Sequence, residues 1–145
     1  MVFISGDVFG NTLSVGKIYL FKSKKLVKTS KPHYFIVIST TSELIMFTCC
    51  TTKFEKRANF IESNNIPKTT LVWIKPDNDN CLPEDSFVDC NSFFQYNRTE
   101  LVQMYNRNEI QFIGYLQESK IEEIRQGIYD SPLIVDEIKE IIKFF

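Results

Sequence analysis

Histidine is nearly missing from this chain: His33 is the only one in 145 residues. A His-rich metal centre is thereby excluded. The four cysteines, Cys49, Cys50, Cys81 and Cys90, contain no Cys-x-x-Cys pair, so the sequence predicts no metal site. Two of them are adjacent and poorly placed to bond each other, which points to reduced thiols and a cytoplasmic protein. Glycine is scarce too. The five glycines are scattered and make neither GxGxxG nor GxxxxGK[ST], so no phosphate-cradling loop and no nucleotide cofactor is expected. Neither GxSxG nor HExxH occurs. No apolar run approaches the roughly 18 residues of a membrane helix. The opening MVFISGDVFGN lacks the basic and long apolar regions of a signal peptide. Repeats, low-complexity tracts and linkers are also lacking, so residues 1–145 read as one domain.

Core-forming residues are plentiful. Thirteen Phe and six Tyr, with many Ile and Val, rule out a disordered chain. At this length folding hides roughly 70% of the surface that the unfolded chain exposes. The net charge of −1 conceals an asymmetry. Residues 1–60 carry nine Lys and Arg against three Asp and Glu, a net of +6, and residues 61–145 carry −7. Lys17, Lys22, Lys24, Lys25, Lys28 and Lys31 follow one another with no intervening acid. This run is either a solvated loop or a local polyanion site, since clustered positive charge supplies the salt-dependent part of nucleic-acid binding.

Periodicity predicts strands over the first two-thirds. KIYLFK (17–22), HYFIVIS (33–39), ELIMFT (43–48, running on to Thr52), TTLVWIK (69–75) and a short segment at 86–90 are β-branched or aromatic. The second is apolar on both faces, as a central strand should be. Phe54 to Glu62 reads as a further strand, while 93–108 is ambiguous before a strand at 110–115. Ser119 and Glu122 form a capping-box pattern ahead of Ile121, Ile124 and Ile128. Ser131-Pro132 suggests a second helix with proline in its first turn, striped by Leu133, Ile134, Ile138, Ile141, Ile142 and Phe145. The fold class is therefore mainly β with C-terminal helices, an α+β arrangement.

With one histidine, catalysis must run on Lys, Arg, Thr, Ser, Asp or His33. That inventory suits RNA cleavage without metal, in which the substrate brings its own nucleophile, the 2′-hydroxyl. Three ordered segments resemble the MazF/PemK/Kid family of toxin endoribonucleases. Val15-Gly16-Lys17-Ile18-Tyr19-Leu20 resembles its opening Gly-Asp-Ile strand. Lys31-Pro32-His33-Tyr34-Phe35-Ile36-Val37-Ile38-Ser39 resembles its Arg-Pro-x-x-Val-Ile-Ser strand, and Cys50-Thr51-Thr52-Lys53 its Thr-Thr or Thr-Ser strand end. Ser86 to Cys90 is similar to the family's strand before the terminal helix. The resemblance runs from about Val15 to Ile142.

It implies a small SH3-like barrel of the MazF/PemK/CcdB type with a terminal helix, commonly a homodimer. It also implies an mRNA interferase-like endoribonuclease, needing no cofactor, that cuts single-stranded RNA to leave a cyclic phosphate. A cognate antitoxin would cover its RNA groove. The family's active-site Arg falls on Lys31 and its Thr on Thr51, with His33 a candidate acid or base. RNA-backbone contacts would come from Lys22, Lys24, Lys25, Lys28, Lys53, Lys56 and Arg57. Lysine for arginine keeps the charge but loses the planar fork that grips phosphate, so Arg57 is a possible substitute for it. The stretch Pro76–Pro83 exceeds the family pattern. The competing reading is a non-catalytic SH3-like protein-binding module, or a gyrase-binding toxin of the same fold, with Tyr96, Tyr105 and Tyr115 as a binding surface if exposed.

Overall fold

In the computed structural model, residues 5–26 and 31–143 are described. Three strands, β1 (Lys17–Phe21), β2 (His33–Thr40) and β3 (Leu44–Thr51), make an antiparallel meander. The remaining elements are α1 (Gly6–Thr12), α2 (Phe54–Ser63), β4 (Leu71–Ile74), β5 (Ser86–Asp89), β6 (Phe94–Asn97), α3 (Arg98–Asn106), β7 (Ile110–Tyr115), α4 (Glu118–Asp130) and α5 (Asp136–Lys143). The result is a mixed α+β fold around a seven-stranded antiparallel sheet of order β4-β5-β3-β2-β1-β7, with β6 also paired to β3. Strand β3 divides its length, pairing β6 through Leu44–Phe47 and β5 through Cys50 and Thr51.

The double-faced apolarity of β2 has a direct cause: both of its faces are covered. Ile36 and Ile38 enter a core with Ile18, Met46, Val72, Ile74 and Val88, closed by Ile124, Ile128 and Ile142 of the C-terminal helices. Phe35 and Val37 enter a second core, rich in rings, with Phe9, Tyr19, Phe21, Phe47, Tyr96 and Leu101. Each fully buried aliphatic or aromatic side chain contributes about 1.5–3 kcal/mol, so these two cores supply the main driving force.

The strand path is open, with β4 and β7 at its ends. The loop leaving β4 nevertheless reaches β7. The backbone N–H of Tyr115 donates to the Asp79 carbonyl at 2.9 Å. A Cβ on Gly114 would lie 2.3 Å from that same oxygen, so this close approach requires glycine. Within the loop, Asn80 is buried and its amide oxygen accepts from the N–H groups of Asp77 and Leu82. The Pro76–Pro83 stretch is thus a pinned structural connection.

Three sequence expectations are corrected. Phe54 to Glu62 is helical: Phe54, Ala58 and Ile61 recur at helical spacing, and the helix ends in a Schellman motif with Asn65 at φ 54° and the Ile66 N–H bonded to the Ile61 carbonyl. Ser119 does not cap α4, because the helix starts one residue earlier with Gln117 at the cap. Proline 132 does not begin α5. The Ser131 hydroxyl is committed to buried Asn91 at 2.6 Å, the next residues turn, and the helix starts at Asp136. Of the stripe on that segment, Ile134 and Ile142 are buried, whereas Leu133 and Ile141 are exposed; Phe145 lies outside the described residues. The ambiguous 93–108 stretch resolves into β6 and α3, the helix held by a capping box between Asn97 and Glu100. Among the described residues, no helix is long and apolar enough to cross a membrane.

Candidate active site

One end of the sheet gathers the residues singled out from sequence. Strand β1 finishes, β2 begins and β3 finishes there, with Phe21 paired to His33 and Phe35 to Cys49. The β2–β3 pairing ends at Phe35 and Cys49, with His33 and Thr51 each two residues further along their strands at this same end. Thr51 is in turn paired to Phe87, and Phe87 to Trp73. Residues directly opposite on neighbouring strands project to one face. A single row therefore crosses the sheet from Thr51 through Phe87 to Trp73.

Lys31 lies just before β2, exposed, with Pro32 between it and the strand. It does not share the regular strand with His33, but the two are joined: His33 Nδ1 lies 3.0 Å from the Lys31 carbonyl. A carbonyl can only accept, so Nδ1 is the nitrogen that carries hydrogen. In the neutral ring this leaves Nε2 with the lone pair, the arrangement a proton acceptor needs. Thr51 closes β3, and its hydroxyl oxygen accepts the Lys53 N–H at 3.1 Å. That bond holds Oγ1 at the mouth of α2 and leaves its own hydrogen available for donation.

The cations divide into three sets. Lys22, Lys24 and Lys25 are exposed on the turn after β1, at the same sheet end. Lys25 Nζ sits 5.1 Å from the centre of the Tyr96 ring, and the Tyr96 hydroxyl meets that of Ser23, so this turn is fastened to the ring-rich core. Lys28 lies outside the described residues. Lys53 and Lys56 are exposed around the start of α2. Arg57 is committed elsewhere. It pairs with Asp89 at 3.3 Å, and the other Asp89 oxygen accepts from the backbone and amide of buried Asn91. Asn91 reaches on to Thr70 and Ser131. Asp89 is thus a structural anchor for α2, and Arg57 holds the helix against β5. Between the Lys22–Leu26 turn and α3 lies an open groove of about 1140 Å³, with Lys24 and Arg107 on its rim beside Glu100 and Glu109.

Three of the four cysteines are ill suited to act as nucleophiles. Burial pushes the Cys49 thiol up to about 12, against an opposing pull from Arg57. Burial raises Cys50 and Cys90 further still. A raised value keeps a thiol protonated, and hence unreactive, throughout the neutral range. All four are free, and Cys81 alone is exposed. Brief iodoacetamide treatment of folded protein near neutral pH is therefore expected to label Cys81, with the other three labelled only after denaturation. Mass spectrometry of the alkylated peptides checks this, and rapid labelling of Cys49 would contradict the burial.

The tyrosines considered for a binding surface are mostly unsuited to it. Tyr96 is buried and Tyr105 is partly buried and stacked on Phe9, because β6 and α3 turn both rings into the second core. Tyr115 is exposed and donates to Asp79 at 3.0 Å. Sequence reasoning passed over Phe87 and Trp73. Their only signal is alternation within two short strands, which says nothing about which strands adjoin Thr51. Compared with protein-family models and with curated protein sequences, the chain matches none.

Proposed function

We propose that this chain is a metal-independent endoribonuclease acting on single-stranded RNA, as its resemblance to the MazF/PemK/Kid toxins implies. The observation that supports the reading is the placing of His33, with the Lys31 carbonyl bonded to it, and Thr51 at one end of adjacent strands. Two exposed lysine groups flank that end. In this reading His33 Nε2 takes the proton of a 2′-hydroxyl, whose oxygen attacks the neighbouring phosphorus. The bond from phosphorus to the 5′-oxygen breaks, that oxygen takes up a proton, and a 2′,3′-cyclic phosphate remains. Lys31 and Thr51 offset the negative charge that builds on the phosphate oxygens. Lysine supplies the charge here without arginine's two-pronged geometry.

The finer architecture, an SH3-like barrel, belongs to the same proposal. It is supported by the register shifts within the β1–β7 and β2–β3 pairs, which curl a sheet, and by the bond from the β4 loop to β7. A homodimer and an antitoxin covering the RNA groove are the partners that it entails.

Purified protein incubated with a long single-stranded RNA in excess EDTA is expected to give discrete fragments ending in cyclic phosphate. Intact RNA after incubation with well-folded protein would instead favour the second reading, a protein-binding module or gyrase-binding toxin of the same fold. That alternative draws on the exposed apolar side chains Leu133, Val135 and Ile141 near the C-terminus.

A further inference from the structure

The row that holds Thr51 continues into aromatic residues that no part of the proposed chemistry uses. Trp73 of β4 is 51% exposed although it is the largest side chain on its strand. Phe87 stands directly between Trp73 and Thr51 in the register. Phe54, 47% exposed at the start of α2, lies against Phe87 with ring centroids 4.8 Å apart and planes tilted by 51°. Adjacent strands are about 4.8 Å apart, so Trp73 lies roughly 10 Å across the sheet from Thr51. An aromatic ledge therefore leads away from the candidate site on its own face.

Two of these rings, Trp73 and Phe54, are exposed, and Phe87 is half-buried between them, a grouped apolar surface that is unfavourable in water unless something covers it. The charge around them helps to identify the occupant. Lys53 immediately precedes Phe54, Lys56 follows on the same helix, and Lys75 stands two residues beyond Trp73. Carboxylates are also present. Glu55 lies on α2, and Asp85 falls opposite Lys75 when the β4–β5 register is continued by one residue. Rings for flat faces, with Lys53 and Lys56 at the Thr51 end and Lys75 at the Trp73 end, match a strand whose bases stack while its phosphates run along the lysines.

We infer that Trp73, Phe87 and Phe54 form a stacking platform for the bases of single-stranded RNA beside the phosphate held at Thr51. The inference rests on the ribonuclease reading and adds to it the way in which the substrate strand is seated. Stacking on a π-face is tolerant of sequence, so the platform supplies affinity and direction more than base discrimination. A second copy of this chain and a partner protein are the other possible occupants of such a surface.

Trp73 is the single tryptophan of the chain, so its emission reports on this surface alone. The probe is a fluorescein-labelled, 2′-O-methylated single-stranded RNA, which binds without being cut because its nucleophile is blocked. Titration with the unlabelled form is expected to quench Trp73 to saturation. By anisotropy of the labelled form, Trp73→Ala should weaken binding on the order of tenfold, while Trp73→Phe, which keeps a ring, should stay within about threefold. Circular dichroism of both variants establishes that they fold. Unquenched emission together with unaltered affinity in Trp73→Ala would overturn the platform yet leave the ribonuclease reading standing, since RNA would still bind and be cut. Failure of the wild type to bind or cut any RNA would overturn both. A blue shift of Trp73 with rising protein concentration, RNA being absent, would assign the surface to a second copy and overturn the platform.

Discussion

Replacing Lys31 by alanine is expected to slow metal-free RNA cleavage by on the order of 10²–10³ without disturbing the fold. The side chain is exposed and precedes β2, outside both cores. The backbone carbonyl that receives His33 Nδ1 survives the substitution, so the imidazole keeps its orientation. The substitution removes the cation that the proposed chemistry sets beside the phosphate. Lys31→Arg is the informative companion: it restores charge and adds a second prong for the phosphate oxygens, so activity should equal or exceed the wild type. Thr51→Ala should cost a similar factor, with Thr51→Ser retaining most of the rate because the hydroxyl remains. His33→Ala removes the proposed proton acceptor and should cost about 10²–10⁴. Single-turnover cleavage of one RNA by the five variants, with folding verified by circular dichroism, decides the matter. Full activity in both Lys31→Ala and Thr51→Ala would place the chemistry elsewhere on the molecule.

Phe47→Ala has the largest expected effect on stability. Phe47 is fully buried, and its ring lies edge-on to those of Tyr19, Phe21, Phe35 and Tyr96, at centroid distances between 5.5 and 6.5 Å. The four neighbours are themselves held by strands on either side, so the sheet cannot collapse into the space left behind. Truncation should therefore cost about 3–5 kcal/mol. A domain of ordinary stability has about 5–15 kcal/mol in total, so the loss is a large share of it. In urea the unfolding midpoint should fall sharply with an unchanged slope. A loss below about 1 kcal/mol would mean that the ring cluster repacks freely, contrary to the close packing of protein interiors.

Particular segments show how far the chain could be read from its residues. HYFIVIS is apolar on both faces, and the structure explains it by placing a core on each side of β2. In α4, Ile124 and Ile128 are buried one turn apart, as their spacing indicated. The α2 segment was misread because FEKRANFIE can be scanned with period two as easily as with period 3.6, and its Phe residues favour the strand reading. Its identity as a helix follows from the Schellman closure at Asn65 and the anchoring of Arg57 on Asp89. The second contact leaves no trace in local periodicity, since Asp89 lies on a strand far along the chain.

The site follows the same division. The family resemblance pointed to Lys31 and Thr51, the scarcity of histidine added His33, and their places at the start of one strand and the end of the next followed from local pattern. Pairing across the sheet decided the rest. The β2–β3 pairing brings His33 and Thr51 to the same sheet end, and the β3–β5–β4 register sets Thr51, Phe87 and Trp73 in one row. A slip of one residue in either would send these side chains to the opposite face. The amino-acid sequence by itself determined the composition of the strands, the two-sided burial of β2 and the positive charge of the N-terminal part. Only the tertiary structure decided which strands became neighbours, because register is set by the summed burial of distant residues and by the bulges that curl the sheet, not by any short segment.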